Sequence, residues 1–90
     1  MSVEDRPRIS LRAMEQFIAV AEEMHFHRAA RRLAMSQPPL THAIRKLEDQ
    51  LGAPLLERGN RVLGLTAAGC VFLDQARATL AQARHAATAA

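Results

Sequence analysis

The segment SQPPLTHAIRKLEDQLG, residues 36–52, carries side chains suited to contact an anion along one helical face. Its apolar residues recur at helical spacing, which predicts that the other side chains share the opposite face. The outward positions of the first half are polar or basic, namely Gln37, Thr41, His42, Arg45 and Lys46. The second half carries acids, Glu48 and Asp49. This charge pattern favours a helix whose N-terminal end points toward an anionic partner, although Thr41 and His42 alone would also suit an ordinary surface.

Two prolines stand near the start of this predicted helix. Pro38 and Pro39 occupy its second and third positions if Ser36 is the N-cap. The first four N–H groups of a helix have no partner within it, so proline loses nothing there, and its fixed φ suits a helix start. The prolines therefore stiffen the tip of the helix and present an apolar surface on it.

Basic residues are concentrated in the middle of the chain. The formal net charge is +3 over 90 residues, but residues 27–61 carry +4 and the remainder carries −1. Lys46 is the only lysine, so arginine supplies most of the positive charge. The planar fork of an arginine suits phosphates and guanine edges. A run such as Arg28, Arg31 and Arg32 could equally be a solvated helix face, which is the ordinary role of clustered charges.

Other functional classes find little support in the sequence. Ser36 and His42 have no positioned carboxylate, and no phosphate loop or nucleophile elbow occurs, so we predict neither an enzyme nor a cofactor. His25, His27 and Cys70 lack the paired ligand spacing of structural zinc sites, so we predict no metal. The single cysteine excludes an internal disulfide and is expected to be a half-buried apolar residue. Without a membrane-span or signal-peptide pattern, the expected location is the cytoplasm.

Periodicity and cap residues predict the elements that hold these side chains. Alanine is abundant and tryptophan and tyrosine are absent, which favours helices over sheet. The N-terminal half is predicted to begin with a polar arm over residues 1–8, followed by a helix over 11–24 that Ser10 caps. A second helix is predicted over 28–33, with His27 in the cap position. A tight turn at Ala34-Met35 then leads to the helix that Ser36 caps.

The C-terminal part changes period. Residues 55–58 and 62–65 flank Gly59-Asn60-Arg61, which predicts a two-stranded hairpin with a Gly-Asn turn and a basic tip. Thr66 then caps a helix that runs to the end, where eight of the last fifteen residues are alanine. Such a helix offers few core contacts and is expected to pack on another chain. The predicted fold is therefore mainly all-α, a winged helix-turn-helix over residues 9–65 followed by a long helix over 66–90.

Four phrases make this pattern more specific: AARRL, SQPPLTHAIRKLEDQLG, LLER and LTAAG. In this order they resemble the N-terminal DNA-binding domain of LysR-type transcriptional regulators, over roughly residues 9–88. The resemblance implies sequence-specific binding of double-stranded DNA for transcriptional regulation by a homodimer on an interrupted inverted repeat. Helix 37–51 would enter the major groove, wing 59–61 would approach the minor groove, and helix 66–90 would pair with its twin. The family's ligand-sensing domain is expected to be absent here, although full-length members form higher oligomers.

The resemblance also assigns roles to individual residues. The base-reading positions are Gln37, Pro38, Pro39, Thr41, His42 and, on the wing, Arg61. The phosphate-binding positions are His27, Arg28, Ser36, Arg45, Lys46 and Arg58. The dimerisation positions are Phe72, Ala76, Leu80 and Ala83. Two positions depart from the family pattern, since His42 replaces a common arginine and His27 replaces a Ser or Thr that often caps the second helix and bonds a phosphate.

Two other functions remain open at this point. One is a helical interaction module whose basic strip binds an acidic protein surface. The other is a different winged-helix family that binds nucleic acid without sequence preference. The polar, proline-headed tip at residues 37–42 argues against the first, because the centres of protein interfaces are apolar and aromatic.

Overall fold

The structure, a computed structural model, describes residues 8–59 and 61–90. These residues form α1 (Leu11–Glu23), α2 (Phe26–Arg32), α3 (Gln37–Leu51), β1 (Leu56–Arg58), β2 (Val62–Leu65) and α4 (Ala67–Ala89). The order of elements confirms the predicted winged helix-turn-helix with a two-stranded wing and a long final helix. The arm predicted over residues 1–8 lies, except for Arg8, outside the described residues.

The N-caps of α1 and α4 follow the sequence prediction. The hydroxyl of Ser10 accepts a hydrogen bond from the Ala13 N–H at 3.0 Å, and Thr66 accepts one from the Gly69 N–H at 3.0 Å. Each of these side chains satisfies one N–H group that has no partner within its helix.

The predicted cap of α2 was wrong. The helix begins at Phe26, so the cap is His25, whose Nδ1 accepts a hydrogen bond from the Arg28 N–H at 3.4 Å. His27 instead lies in the first turn and is exposed. An earlier start is favoured because the Phe26 ring, placed within the helix, packs against the core.

A tight turn joins α2 to α3, as predicted. Ala34 adopts a left-handed conformation with φ of 55°, and the Met35 N–H donates to the Ala30 carbonyl at 2.9 Å. This turn sets the entry of α3, which begins after Ser36 with both prolines in its first turn.

The core forms around α1, which packs against α2, α3 and α4. Phe17 of α1 is fully buried, and its ring meets the ring of Phe72 edge to face at a centroid distance of 5.4 Å. The largest fully buried side chains are Phe17, Val20, Leu40, Ile44, Leu47 and Leu55. The inward stripe predicted for α3 is thus confirmed at Leu40, Ile44 and Leu47, and it holds the opposite face of α3 toward solvent.

The wing is an antiparallel pair in which Leu56 lies opposite Leu65 and Arg58 opposite Val62. The register shifts between Glu57 and Arg58, as in a β-bulge. Beyond the strands, the Gly59 N–H donates to the Arg61 carbonyl at 3.0 Å. The predicted Gly-Asn turn includes Asn60, which lies outside the described residues.

Helix α4 contributes more to the protomer core than the sequence indicated. Its buried face consists of Gly69, Leu73, Ala76 and Leu80. Ala76 and Leu80 are 0% and 6% exposed, so this burial removes them from the predicted dimer surface. Cys70 is exposed beside the buried face, which corrects its expected half-buried position. Within the described residues, no helix combines the length and apolarity needed to cross a membrane.

Candidate nucleic-acid interface

The first turns of α3 form an exposed tip of mixed polar and apolar character. Gln37, Pro38, Pro39 and His42 are exposed, and Thr41 is half-buried. The buried stripe on the other side of α3 fixes the orientation of this tip. The predicted base-reading residues of α3 therefore share one accessible surface at the N-terminal end of the helix.

Ser36 is the N-cap of α3, yet its side chain makes no capping hydrogen bond in the described structure. An N-cap side chain normally accepts from the N–H of the second or third helical residue. Here those residues are Pro38 and Pro39, which have no N–H to donate. The exposed hydroxyl of Ser36 is therefore available to a partner outside the helix.

The structure brings the tip of α3 together with α2 and the wing. Gln37 and Arg61 line a hollow of about 110 Å³, whose other walls include His25 and His27. Arg61 also borders a neighbouring hollow with Arg28. Four residues predicted for DNA contacts, from three separate elements, thus lie on one continuous surface.

Arg45 and Lys46 extend this surface along α3. Both side chains are exposed, and neither takes part in the ion pairs formed among the described residues. With Arg28 and Arg61 they leave several cations on the side of the molecule that carries the tip. Such a surface attracts polyanions and has charge available for phosphates.

Arg58, which the resemblance assigns to a phosphate, also pairs with an acid of its own protomer. Its Nη2 donates to Glu48 Oε1 at 2.6 Å, so its charge is matched within the protomer. Local spacing did not predict this pair, because the two residues lie on different elements and ten positions apart. The phosphate contact predicted for Arg58 stays a prediction, for a side chain that is 30% exposed and already bonded to Glu48.

A second cluster of charges joins α1, α2 and α4. Arg32 and Arg77 each donate to the carboxylate of Glu22 at 2.7 Å, and Arg32 also contacts Glu23 at 3.3 Å. Hydrogen bonds from Arg77 and then Arg32 hold the pKa of Glu22 below its ordinary value of 4.5. Arg32 is therefore ion-paired within the protomer, and the spacing of the charges did not indicate its partners.

We expect the substitution Glu22→Gln to lower stability at neutral pH but not in acid. A carboxyl whose folded pKa is depressed stabilises the fold above its unfolded pKa, and this contribution is lost as the pH falls through the folded pKa. Exposed ion pairs contribute up to about 1 kcal/mol, which corresponds to a fall in Tm of about 4–8 °C in a domain of this size. Thermal unfolding of both proteins at pH 7 and near pH 3 measures the difference.

Glu15→Gln is the matched control, because Glu15 makes a single exposed contact with Arg12 at 3.6 Å. Its Tm should stay close to that of the wild type at both pH values. A Tm difference for Glu22→Gln that is as large near pH 3 as at pH 7 would contradict the linkage to this carboxylate.

The described residues contain no group of three or more His, Cys, Asp or Glu side chains placed to hold a metal ion. His25 and His27 lie near each other, with ring centroids 6.2 Å apart. His25 already uses Nδ1 as a helix cap. The chemistry of this surface is therefore that of hydrogen-bond donors, acceptors and cations.

Comparison with known proteins places this geometry in a family. Residues 11–70 match the family model described as bacterial regulatory helix-turn-helix protein, lysR family. The HTH-type transcriptional regulator AlsR of Bacillus subtilis is 53% identical over 74 residues, which are 82% of this chain and 24% of that protein. The uncharacterised regulator YnfL of Escherichia coli is 54% identical over 82 residues, which are 91% of this chain and 28% of that protein. The chain thus spans about a quarter of the length of these relatives.

Solved structures are similar over most of the chain. The CbnR_DBD-DNA complex superposes with a TM-score of 0.85 at 45% identity, covering 89% of this chain and 92% of that one. The BenM_DBD/benA site 1 DNA complex has a TM-score of 0.85 at 40% identity, covering 89% of this chain and 90% of that one. Both of these similar chains were crystallised with DNA.

Proposed function

Because the chain belongs to the lysR family of bacterial regulatory helix-turn-helix proteins, we propose that it binds duplex DNA sequence-specifically and regulates transcription. Helix α3 enters the major groove with its N-terminal tip, and Arg61 on the wing approaches the adjacent minor groove. A cytoplasmic location follows from this partner. The similarity to the DNA complexes of CbnR and BenM supports the proposal.

The observation that carries the proposal is the exposed tip of α3. Gln37 offers an amide that matches the N6 and N7 edge of adenine, and Thr41 offers a hydroxyl and a methyl group. Pro38 and Pro39 supply apolar contacts for base edges or sugars. His42, in place of a longer arginine, reaches less far from the helix.

Phosphate contacts surround this tip. The exposed residues His27, Arg28, Ser36, Arg45 and Lys46 are the proposed contacts. They fix the position of the protein on the duplex without distinguishing sequences. The hydroxyl of Ser36, which the two prolines leave without a capping partner, is suited to donate to a phosphate oxygen.

We expect Lys46→Ala to weaken binding to all duplexes alike and to reduce its salt dependence. Loss of one phosphate contact should lower the slope of log Kobs against log salt by about 0.9. Titrations of a selected and a scrambled duplex at several salt concentrations measure both effects. Arg84→Ala near the end of α4 is the matched control and should leave the slope unchanged. A slope that stays constant in Lys46→Ala would remove this residue from the interface.

The proposed assembly is a homodimer on an interrupted inverted repeat, formed through α4. Of the residues first assigned to this interface, Phe72 and Ala83 retain accessible surface. Phe72 and the 64% exposed Val71 border an apolar hollow of about 250 Å³ at the N-terminal end of α4. The alanine-rich exposed side of the same helix is narrow enough for a second helix to approach closely.

Selection from a random duplex pool, followed by sequencing, tests the proposed function. Enrichment of an interrupted inverted repeat is the expected result and would measure the spacing of the two recognition helices. Enrichment of a single half-site would support base reading and contradict stable pairing through α4. Salt-sensitive binding without enrichment would leave sequence-independent binding and reject the assignment of Gln37, Thr41 and His42.

A further inference from the structure

One carboxylate holds both ends of strand β1. Glu48 Oε2 accepts hydrogen bonds from the N–H groups of Leu55 at 2.8 Å and Leu56 at 3.3 Å, where β1 begins. Glu48 Oε1 accepts from Arg58 at 2.6 Å, where β1 ends. The Glu48 side chain is only 11% exposed, and both of its oxygens are engaged. An acid on α3 therefore bonds to the first strand of the wing at both of its ends.

Arg58 extends this attachment to α2. Its guanidinium carbon lies 5.9 Å from the centroid of the Phe26 ring, within the range of a cation–π contact. Phe26 in turn packs against the core. Glu48, Arg58 and Phe26, called here the wing clasp, thus connect α3, the wing and α2.

The position of the clasp matters because the wing and the tip of α3 lie on one surface. Arg61 lies between the two strands, immediately before β2, and it shares a hollow with Gln37. A rotation of β1 relative to α3 would move Arg61 without moving Gln37. Within the described wing, the bonds to Glu48 join β1 directly to the recognition helix, so they oppose this rotation.

We infer that Glu48 is a positioning residue that holds the wing in register with α3, so that both elements contact one stretch of duplex at a fixed separation. Arg58 serves this clasp and makes no phosphate contact. The inference rests on the proposed function. It assigns an influence on base preference to the Glu48–Arg58 ion pair, although neither side chain touches a base.

The variants Glu48→Gln and Arg58→Gln test the clasp by selection from the random duplex pool. Glu48→Gln keeps the size of the side chain and removes its charge, whereas Arg58→Gln leaves the bonds from Leu55 and Leu56 intact. In both we expect base preference beneath the wing to fall about fivefold or more, the lower limit for one base contact. Preference at the pairs that α3 contacts should remain. Glu15→Gln controls for loss of an acid and should enrich the wild-type sequence.

Salt dependence separates the clasp from direct phosphate binding. The slope of log Kobs against log salt should be the same for Arg58→Gln and the wild type. A decrease of about 0.9 would show that Arg58 contacts a phosphate and would overturn the inference.

Residual dipolar couplings of the DNA-free protein give a measurement that does not depend on binding. In Glu48→Gln, the couplings of β1 and β2 should change relative to those of α1 and α3. Unchanged couplings, or a uniform loss of preference at every base pair, would overturn the positioning role. If the wild type itself enriches no sequence, the proposed function falls and the inference falls with it. If the wild type enriches a sequence and both variants enrich the same sequence with the same base preferences, the clasp alone is rejected.

Discussion

Gly69→Ala should destabilise the domain by about 3 kcal/mol or more, at the upper end of the usual cost of overpacking. Gly69 is buried at the start of α4, and an added Cβ would overlap the carbonyl oxygen of Leu55 and lie 3.0 Å from its carbonyl carbon. Backbone atoms cannot move aside as the end of a flexible side chain can. The N-terminal turn of α4 would therefore have to move away from the segment before β1, against which it packs.

Two hydrogen bonds make this displacement more costly. The Thr66 N–H donates to the Leu55 carbonyl at 3.0 Å, and the Thr66 hydroxyl donates to the Pro54 carbonyl at 2.6 Å. Alanine is favoured over glycine in a helix by about 1 kcal/mol, so propensity alone predicts stabilisation. The free-energy cost of the overlap is expected to exceed this gain, so the substitution destabilises the domain.

Thermal unfolding measures the result, with an expected fall in Tm on the order of 12 °C or more. Gly64→Ala in the wing is the matched control, because its Cβ would meet only the Glu57 Oε2 atom at an ordinary 3.7 Å. This control should change stability by no more than about 1 kcal/mol. A Gly69→Ala protein as stable as the wild type would mean that α4 does not pack against Leu55 in solution.

Features that depend on neighbours in sequence were the ones that sequence reasoning predicted well. The Ser10 and Thr66 caps, the turn at Ala34 and the buried stripe of α3 all follow from local spacing and residue type. The exposed tip at residues 37–42 follows from the same stripe, because its orientation is set by which side of α3 is apolar. Helical periodicity carries this information without reference to the rest of the chain.

Features that depend on distant elements were predicted poorly. Arg58 and Glu48 each resemble a solvated charge in sequence, and only the fold places them 2.6 Å apart. Ala76 resembles part of a thin, unpartnered helix, but α1 covers that face of α4. Alanine marks a place where two helices can approach closely, and its small size does not indicate whether the second helix belongs to the same chain.

Gln37→Ala should change base preference rather than overall stability. Gln37 is exposed at the first position of α3, where alanine is well tolerated and no core contact is lost. If its amide bonds the edge of an adenine, removing that amide should cost about 1–3 kcal/mol at that base pair, roughly 5- to 150-fold. Discrimination at the other base pairs should persist, because their contacts come from other side chains.

Gln50→Ala is the matched control, since it removes the same amide from the opposite end of the same helix. Competition binding with the selected duplex and its single-base variants compares the two proteins. The expected result is relaxed preference at one pair in each half-site for Gln37→Ala and at none for Gln50→Ala.

The way in which affinity is lost across different duplexes distinguishes base reading from phosphate binding. A phosphate contact such as Lys46 weakens every duplex by a similar factor, whereas a base contact weakens only the duplex that carries its preferred pair. If Gln37→Ala lowered the affinity for every duplex by the same factor, the amide would contact the DNA backbone. The tip of α3 would then lie farther from the base edges than proposed. If it changed nothing, base reading would fall to Thr41 and His42, one turn further along the helix.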